Sequence, residues 1–367
     1  MTISENLAIL LTPITAFLIT YFSIPALIRL ALLKKLYDTP DDRKLHLPRI
    51  SPLGGIAIFG GMIISFVFYS ARFSNPALNS ILVGLFILLI TGVKDDLYPL
   101  VPYKKFIGQL LAVLVVMFQG DIRLESLYGL FDIWALPYWW SIGFTAFFFL
   151  GIINSFNFID GINGLSSGIG VVISMVYALW FHYLDEPLFL ILSLSIAGSL
   201  LAFLPYNLIR ARIFMGDSGS MVLGFLAALL TIYFLQSNER SAHSYLLHID
   251  AMVFAFSVLI IPIIDTLRVV FLRVIILRLS PFTADRNHIH HALLDIGIGH
   301  ALSTGILVLT NIIFILLCYF LNDLIRASVL IILLSLLALG LSQIPFAIKR
   351  NRKKVVQDNS GNSASQS

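Results

Sequence analysis

"ILVGLFILLITGVKDDLYPL", residues 81–100, decides how the rest of the chain is read. A continuous apolar run from Ile81 to Gly92 leads straight into Lys94, Asp95 and Asp96. The run lacks the alternation of a strand and predicts a helix. Two adjacent carboxylates at its end are costly to keep beside an apolar medium, and such groups are candidates for chemistry.

The same pattern recurs along the chain. Of its 367 residues 58% are hydrophobic and 12% charged, whereas soluble domains carry about 25% charged residues. A mean hydropathy of +0.93 excludes a single soluble core and requires lipid as solvent. A membrane barrel would show alternating strands of about ten residues. Here the apolar runs are continuous and close to the roughly 20 residues of a helical span. They fall at 6–28, 53–71, 78–93, 104–119, 138–154, 165–183, 188–204, 219–236, 250–272, 301–321 and 327–347. The expected fold is therefore all-α, a polytopic integral membrane protein of about 10–11 transmembrane helices. The spans at 188–204 and 219–236 are the easiest to miscount.

The first apolar segment, Asn6 to Leu33, is too long for a signal peptide and has no basic residues before it, so it reads as a retained span. Cys318, the one cysteine, lies in an apolar run and reads as a small packing residue. With the N-terminus outside, 20 of the 24 Lys and Arg residues fall on the cytoplasmic side. That asymmetry is the positive-inside signature. Residues 1–348 then form one membrane domain, and 349–367 a basic, then polar, cytoplasmic tail expected to be disordered from Asn351. Basic residues at the start of the tail are suited to anionic headgroups. No inverted internal repeat of the transporter kind is visible.

The unusual polar clusters share one membrane face. "DTPDDRKLHLPRISPLGG" (38–55), Asp95–Asp96, "NSFNFIDGINGL" (154–165), "FMGDSGS" (214–220) and "DRNHIHH" (285–291) all fall in cytoplasmic loops or at cytoplasmic helix ends. Asp and Asn oxygens suit a hard cation such as Mg²⁺, and no Cys/His spacing suits zinc. Lys105, the histidines and Arg286 suit phosphate. Gly-rich turns beside carboxylates let backbone approach a ligand closely. Together these are the parts of phosphoryl transfer, with one soluble phosphorylated substrate and one lipid substrate.

Each part also has a plainer reading. Asp95–Asp96 could be an interfacial anchor paired with Lys94. Asp160 and Asp217 could cap helices. A lone histidine is most often structural, although "HIHH" after Arg286 has three. "DDRK" (41–44) could be a solvated charge run. The aromatic cluster 136–144 reads as an interfacial belt. Asp265, inside an apolar run, reads as an i,i+3 partner of Arg268.

In combination these motifs resemble the polyprenyl-phosphate N-acetylhexosamine-1-phosphate transferase superfamily (glycosyltransferase 4 family), from Leu33 to Arg350. "HIHH" is closer to its WecA/TagO-like branch than to the branch with three consecutive histidines and a pentapeptide donor. Such enzymes move a sugar-1-phosphate from a UDP-sugar to undecaprenyl phosphate and release UMP. The resemblance implies that Asp95 deprotonates or orients the lipid phosphate, with Asp96 in support. It places Lys105 on the pyrophosphate, Asp160 in the catalytic set, and Asp217 and Asn157 on Mg²⁺, for which Mn²⁺ could substitute. Phe214 would stack on uracil, and Arg286, His288, His290 and His291 would hold phosphates and shape the sugar pocket. Its implied partners are the UDP-sugar, the polyprenyl phosphate and the bilayer, with no nucleic acid and a homodimer left open. The implied location is the bacterial inner membrane, with the active site at the cytoplasmic face. Direct attack is favoured over a covalent intermediate, because the lipid phosphate is itself a good nucleophile and no base-activated Ser or Cys stands out.

One position departs from the resemblance. Many bacterial members read Asp-Gly-x-Asp-Gly, and here Asn163 replaces the second Asp. An amide both donates and accepts at a uracil edge, so activity is expected to survive. The leading expectation for the donor is UDP-GlcNAc. UDP-GalNAc, a FucNAc or QuiNAc nucleotide and UDP-MurNAc-pentapeptide stay open. A secondary transporter is the distant alternative; it predicts charges near the midplane and broken helices there.

Overall fold

The computed structural model describes residues 5–36, 50–71, 73, 75–240, 249–279 and 287–364, with side chains of the last helix described through Arg352. Lipid offers no hydrogen bonds, so an apolar chain must satisfy its peptide groups within each segment, which helices do. The described residues form α1 (Glu5–Lys34), α2 (Gly54–Ser70), α3 (Ala77–Leu97), α4 (Pro102–Gln119), α5 (Tyr138–Ile159), α6 (Leu165–Tyr183) and α7 (Pro187–Asn207). They continue with α8 (Gly216–Arg240), α9 (Ala251–Val258), α10 (Ile260–Phe271), α11 (Ile289–Asp295), α12 (His300–Leu321) and α13 (Ala327–Ala364). No strand occurs among the described residues.

Each of the eleven apolar runs, including 188–204 and 219–236, has a helical counterpart. Among the described residues eight helices are long and apolar enough to cross a membrane, and the protein is a multi-pass membrane protein. The 250–272 run differs from a simple span. It breaks at Leu259, between α9 and α10, and continues into a π-helical turn at Leu272–Ile276. Pro262 lacks the N–H that would close the turn behind it, which is a local cause for the break.

Helix α8 is the axis of the bundle. Its apolar window is entirely buried, and α2, α3, α5 and α6 pack around it. Between apolar helices in lipid, association depends on close approach, which small residues permit. A Cβ on Gly92 of α3 would lie 2.6 Å from the Ser218 nitrogen, and one on Gly224 would lie 2.6 Å from Ile153 Cα in α5. Both crossings therefore need glycine. Buried hydroxyls bond back to their own helix, as Thr231 Oγ1 does to the Ala227 carbonyl at 2.7 Å.

At the end away from the carboxylates, the α4–α5 connection folds onto the bundle. Leu124 N–H donates to Thr145 Oγ1 at 2.8 Å and Leu136 N–H to the Glu125 carbonyl at 2.8 Å. Trp139 and Trp140 at the start of α5 stay exposed, in keeping with an interfacial belt. Cys318 is buried and free.

The α13 backbone is helical through Ala364. Extending an existing helix fixes one residue per hydrogen bond and avoids nucleation. Near its base, Lys349 pairs with Asp295 at 2.6 Å.

Candidate active site

The site begins with two loops that pair through their backbones. Phe214 N–H donates to the Ser51 carbonyl at 2.9 Å, Gly54 N–H to the Phe214 carbonyl at 2.9 Å, and Gly55 N–H to the Met215 carbonyl at 2.8 Å. The "SPLGG" of the first loop is thereby laid along the "FMG" that opens α8. Gly216 has φ +74°, a conformation that favours glycine. A Cβ there would sit 2.7 Å from Asp96 Oδ1.

Asp96 uses both carboxylate oxygens on the start of α8. Oδ1 accepts the Asp217 N–H at 2.7 Å and Oδ2 the Ser218 N–H at 3.0 Å. Free N–H groups and the helix dipole make a helix N-terminus attractive to a carboxylate. Here the capping group comes from another helix, 121 residues earlier. Asp96 is thus placed as a positioning residue for Asp217, and Asp217 does not itself cap the helix. Asp96→Ala would strand two amide N–H groups; it is expected to cost about 1–3 kcal/mol per unsatisfied group. The check is a lower unfolding temperature accompanied by weaker turnover.

The neighbouring Asp95 faces the other way. Its Oδ1 accepts the Leu100 N–H at 2.5 Å, closing the turn after α3. Its Oδ2 pairs with Lys105 Nζ, which also reaches Asp217 Oδ2 at 2.7 Å. Lys105, on the first turns of α4, therefore bridges the two acids. The anchor reading with Lys94 as partner is replaced by this bridge.

These groups line one cavity of about 590 Å³ with Pro52, Pro99, Leu100, Asn157, Asp160, Gly161, Phe214 and Gly216. Seven residues named from the sequence thus meet at one end of the bundle: Asp95, Asp96, Lys105, Asn157, Asp160, Phe214 and Asp217. Among the described lining residues, four are carboxylates and Lys105 is the one cation. Asp160 lies at the end of α5. Burial, with the charges of Asp217 and Asp96, pushes its carboxyl well above the usual carboxylate range. A cavity this rich in acid can take a further cation. Among the described residues no three His, Cys, Asp or Glu side chains are grouped to hold a metal alone. Mg²⁺ typically takes one or two protein carboxylates plus waters and substrate phosphates. Asp217, approached by the Asn157 side chain, could supply such a partial shell.

Comparison with known proteins gives the same reading. Residues 78–235 match the family described as glycosyl transferase family 4. The chain is 32% identical over 307 residues, 82% of each chain, to a Bacillus subtilis (strain 168) protein named "Probable undecaprenyl-phosphate N-acetylglucosaminyl 1-phosphate transferase". The chain belongs to this family. Other family 4 relatives are a decaprenyl-phosphate N-acetylglucosaminephosphotransferase of Mycobacterium tuberculosis (strain ATCC 25618 / H37Rv), 30% identical over 79% of this chain and 76% of its own. An undecaprenyl-phosphate alpha-N-acetylglucosaminyl 1-phosphate transferase of Salmonella typhi is 30% identical over 77% of this chain and 76% of its own.

The remaining residues of this family 4 transferase sit beside the cavity rather than in its described lining. His290 is buried against Gly161, where a Cβ would lie 2.5 Å from its Nε2. Burial pushes the His290 imidazole down to about 3. His288 is buried against Phe158, with ring centroids 5.4 Å apart. His291 rings with His290 at 4.3 Å. Arg286 lies outside the described residues.

Asn163 is not in the described lining either. Its carbonyl accepts from Thr304 Oγ1 at 2.7 Å and its N–H donates to His300 Nδ1 at 3.4 Å, which ties it to α12. Both bonds belong to the backbone and survive a side-chain change. Asn163→Asp is expected to alter kcat/KM by less than about tenfold, measured as nucleotide release at varied donor.

The contacts of two residues near the site escaped the sequence reading. Asn207, at the end of α7, accepts the Gly164 N–H at 2.5 Å and donates to the Ile213 carbonyl at 2.8 Å, joining two site loops. Asp265 does not pair with Arg268. It is bonded to His288 and the Ile289 N–H, while the Arg268 guanidinium lies 3.7 Å from the Phe346 ring centroid.

Proposed function

We propose that this protein transfers N-acetylglucosamine-1-phosphate from UDP-GlcNAc to undecaprenyl phosphate, releasing UMP. The product would be undecaprenyl-pyrophosphoryl-GlcNAc, the first membrane step of a cell-surface polysaccharide. One observation carries the reading: Lys105 bridges Asp95 and Asp217 in an acid-lined cavity with Phe214 on its wall. The relatives' names give the polyprenyl-phosphate acceptor and the N-acetylglucosaminyl 1-phosphate group that is moved, and the UDP donor follows from the family.

In this mechanism an oxygen of the lipid phosphate attacks the sugar-bearing phosphorus of the donor. A bond to that phosphorus forms, the bridge to the uridine-bearing phosphate breaks, and UMP leaves with the bridging oxygen. Asp95, at the mouth of the turn after α3, takes the proton of the lipid phosphate or orients it. Lys105 shifts its charge from Asp95 to the donor pyrophosphate. Phe214, 36% exposed, offers a ring face to uracil. Asp96 keeps Asp217 in place through the start of α8. Mg²⁺, or Mn²⁺ in its stead, would be held by Asp217 and Asn157 and would neutralise charge on the phosphates. The Lys and Arg asymmetry supports an external N-terminus, with the cavity opening to the cytoplasm across the inner membrane.

The test is purified protein in detergent with undecaprenyl phosphate, Mg²⁺ and UDP-GlcNAc, following released nucleotide. UMP that depends on both lipid and Mg²⁺ is the expected result. UDP in place of UMP would mean ordinary glycosyl transfer and overturns the mechanism. UMP only from another UDP-sugar would keep the chemistry and change the donor.

A further inference from the structure

The broken α9–α10 segment carries a charge that the mechanism above leaves unused. Asp265 in α10 is 2% exposed. A carboxylate so deeply placed requires partners for both oxygens. Oδ1 accepts the Ile289 N–H at 2.9 Å, and Oδ2 lies 2.9 Å from His288 Nδ1. His288 is the residue immediately before α11. The same carboxylate therefore caps α11 and grips the ring at its entrance. A carboxylate only accepts hydrogen bonds, so Nδ1 of His288 carries the proton of that bond.

The ring of His290 follows from this arrangement. It stacks on His288 at 5.4 Å and 11°, with its Nδ1 3.9 Å from Asp265 Oδ2. His290 is 1% exposed, and neither ring nitrogen has a hydrogen-bond partner among the described residues. Its Nε2 is the atom nearest a Cβ built on Gly161, which lines the carboxylate cavity. His288 meanwhile rests on Phe158, next in chain to Asn157. Asp265 thus stands behind two imidazoles that back the cavity wall. Buried polar nitrogens normally have partners, and a ligand at that wall is a natural one for His290.

We propose that Asp265 is a positioning residue for the transfer, holding His288 in the tautomer protonated at Nδ1 and setting α11 so that His290 backs the Gly161 wall. This inference rests on the phosphosugar-transfer reading. The decisive variant is Asp265→Asn. An asparagine can still accept the Ile289 N–H, but its amide donates toward His288 Nδ1 and forces the opposite tautomer. In the full-length protein, assayed by UMP release, kcat is expected to fall about 10–100-fold with the unfolding temperature kept. In a His288→Gln background the same change should have no further effect on kcat, because residues acting through one another are not additive. Wild-type turnover retained in Asp265→Asn, or effects of the two changes that multiply independently, would overturn the proposal. Wild-type protein that releases no UMP from any UDP-sugar would instead overturn the transfer reading itself. Should Asp265→Asn fail to fold, ¹⁵N spectra of histidine-labelled wild type, assigned with His288→Gln, decide the matter. A protonated Nδ1 on His288 supports the proposal, and a bare Nδ1 overturns it.

Discussion

Asp95→Asn is expected to lower kcat by about 10²–10⁴-fold, the range of a lost general acid–base group, while the protein still folds. The amide has the shape of the carboxylate, and its oxygen can still accept the Leu100 N–H that closes the turn after α3. What disappears is the negative charge facing Lys105 and the acceptor for a proton of the lipid phosphate. Donor binding should change less than turnover, because Phe214 and Asp217 remain in place. The measurement is UMP release under saturating donor, beside the unfolding temperature of the purified variant. Turnover near that of wild type would remove Asp95 from the chemistry.

Asp217→Ala is the second large effect. It removes one of the two acids that Lys105 bridges and the carboxylate best placed to share a divalent cation with Asn157. Metal-ion stabilisation of a phosphoryl transition state is worth several kcal/mol, so a loss on the order of 10³-fold in rate is expected. Asp96 still bonds the backbone N–H groups of residues 217 and 218 in this variant, so α8 should keep its start. A Mg²⁺ titration separates the two contributions. Asp217→Asn should need more Mg²⁺ for half-maximal turnover, and a half-maximal point matching wild type would take Asp217 out of the cation site.

Much of this site was legible because membrane helices announce themselves. Asp95 and Asp217 stand out as charges at the ends of apolar runs, and Lys105 as a cation where its helix enters the bundle. Their meeting was inferred from a shared membrane face, and in the structure they line one cavity. The division of labour inside the Asp95–Asp96 pair was not legible. Adjacent carboxylates look alike in sequence, and only the approach of α8 aims Asp96 at two peptide N–H groups. Asp265 was misread for a related reason. The i,i+3 rule sees partners on the same helix, whereas the bonds of Asp265 come from 23 and 24 residues downstream. Asn207 carries no signal at all, since a single amide at a helix end is ordinary. The break at Leu259 hides because the apolar run continues across it, from α9 into the first residues of α10. The histidines were found by their density, but the burial of His288 and His290 follows from packing.

The bond from Asp96 to the start of α8 has a bearing on biogenesis. A membrane chain is threaded into the bilayer from its N-terminus. The acid pair is inserted when its capping target, 121 residues further on, has not yet been synthesised. A chain arrested before Phe214 can already pair Asp95 with Leu100 and Lys105, but it carries Asp96 with no amide from α8 to answer it, and a glycine crossing at Gly92 with nothing packed in it. Such an intermediate is poorly satisfied at the spot where the finished enzyme works. Arrival of α8 therefore caps Asp96 and brings Asp217 to Lys105 in one event.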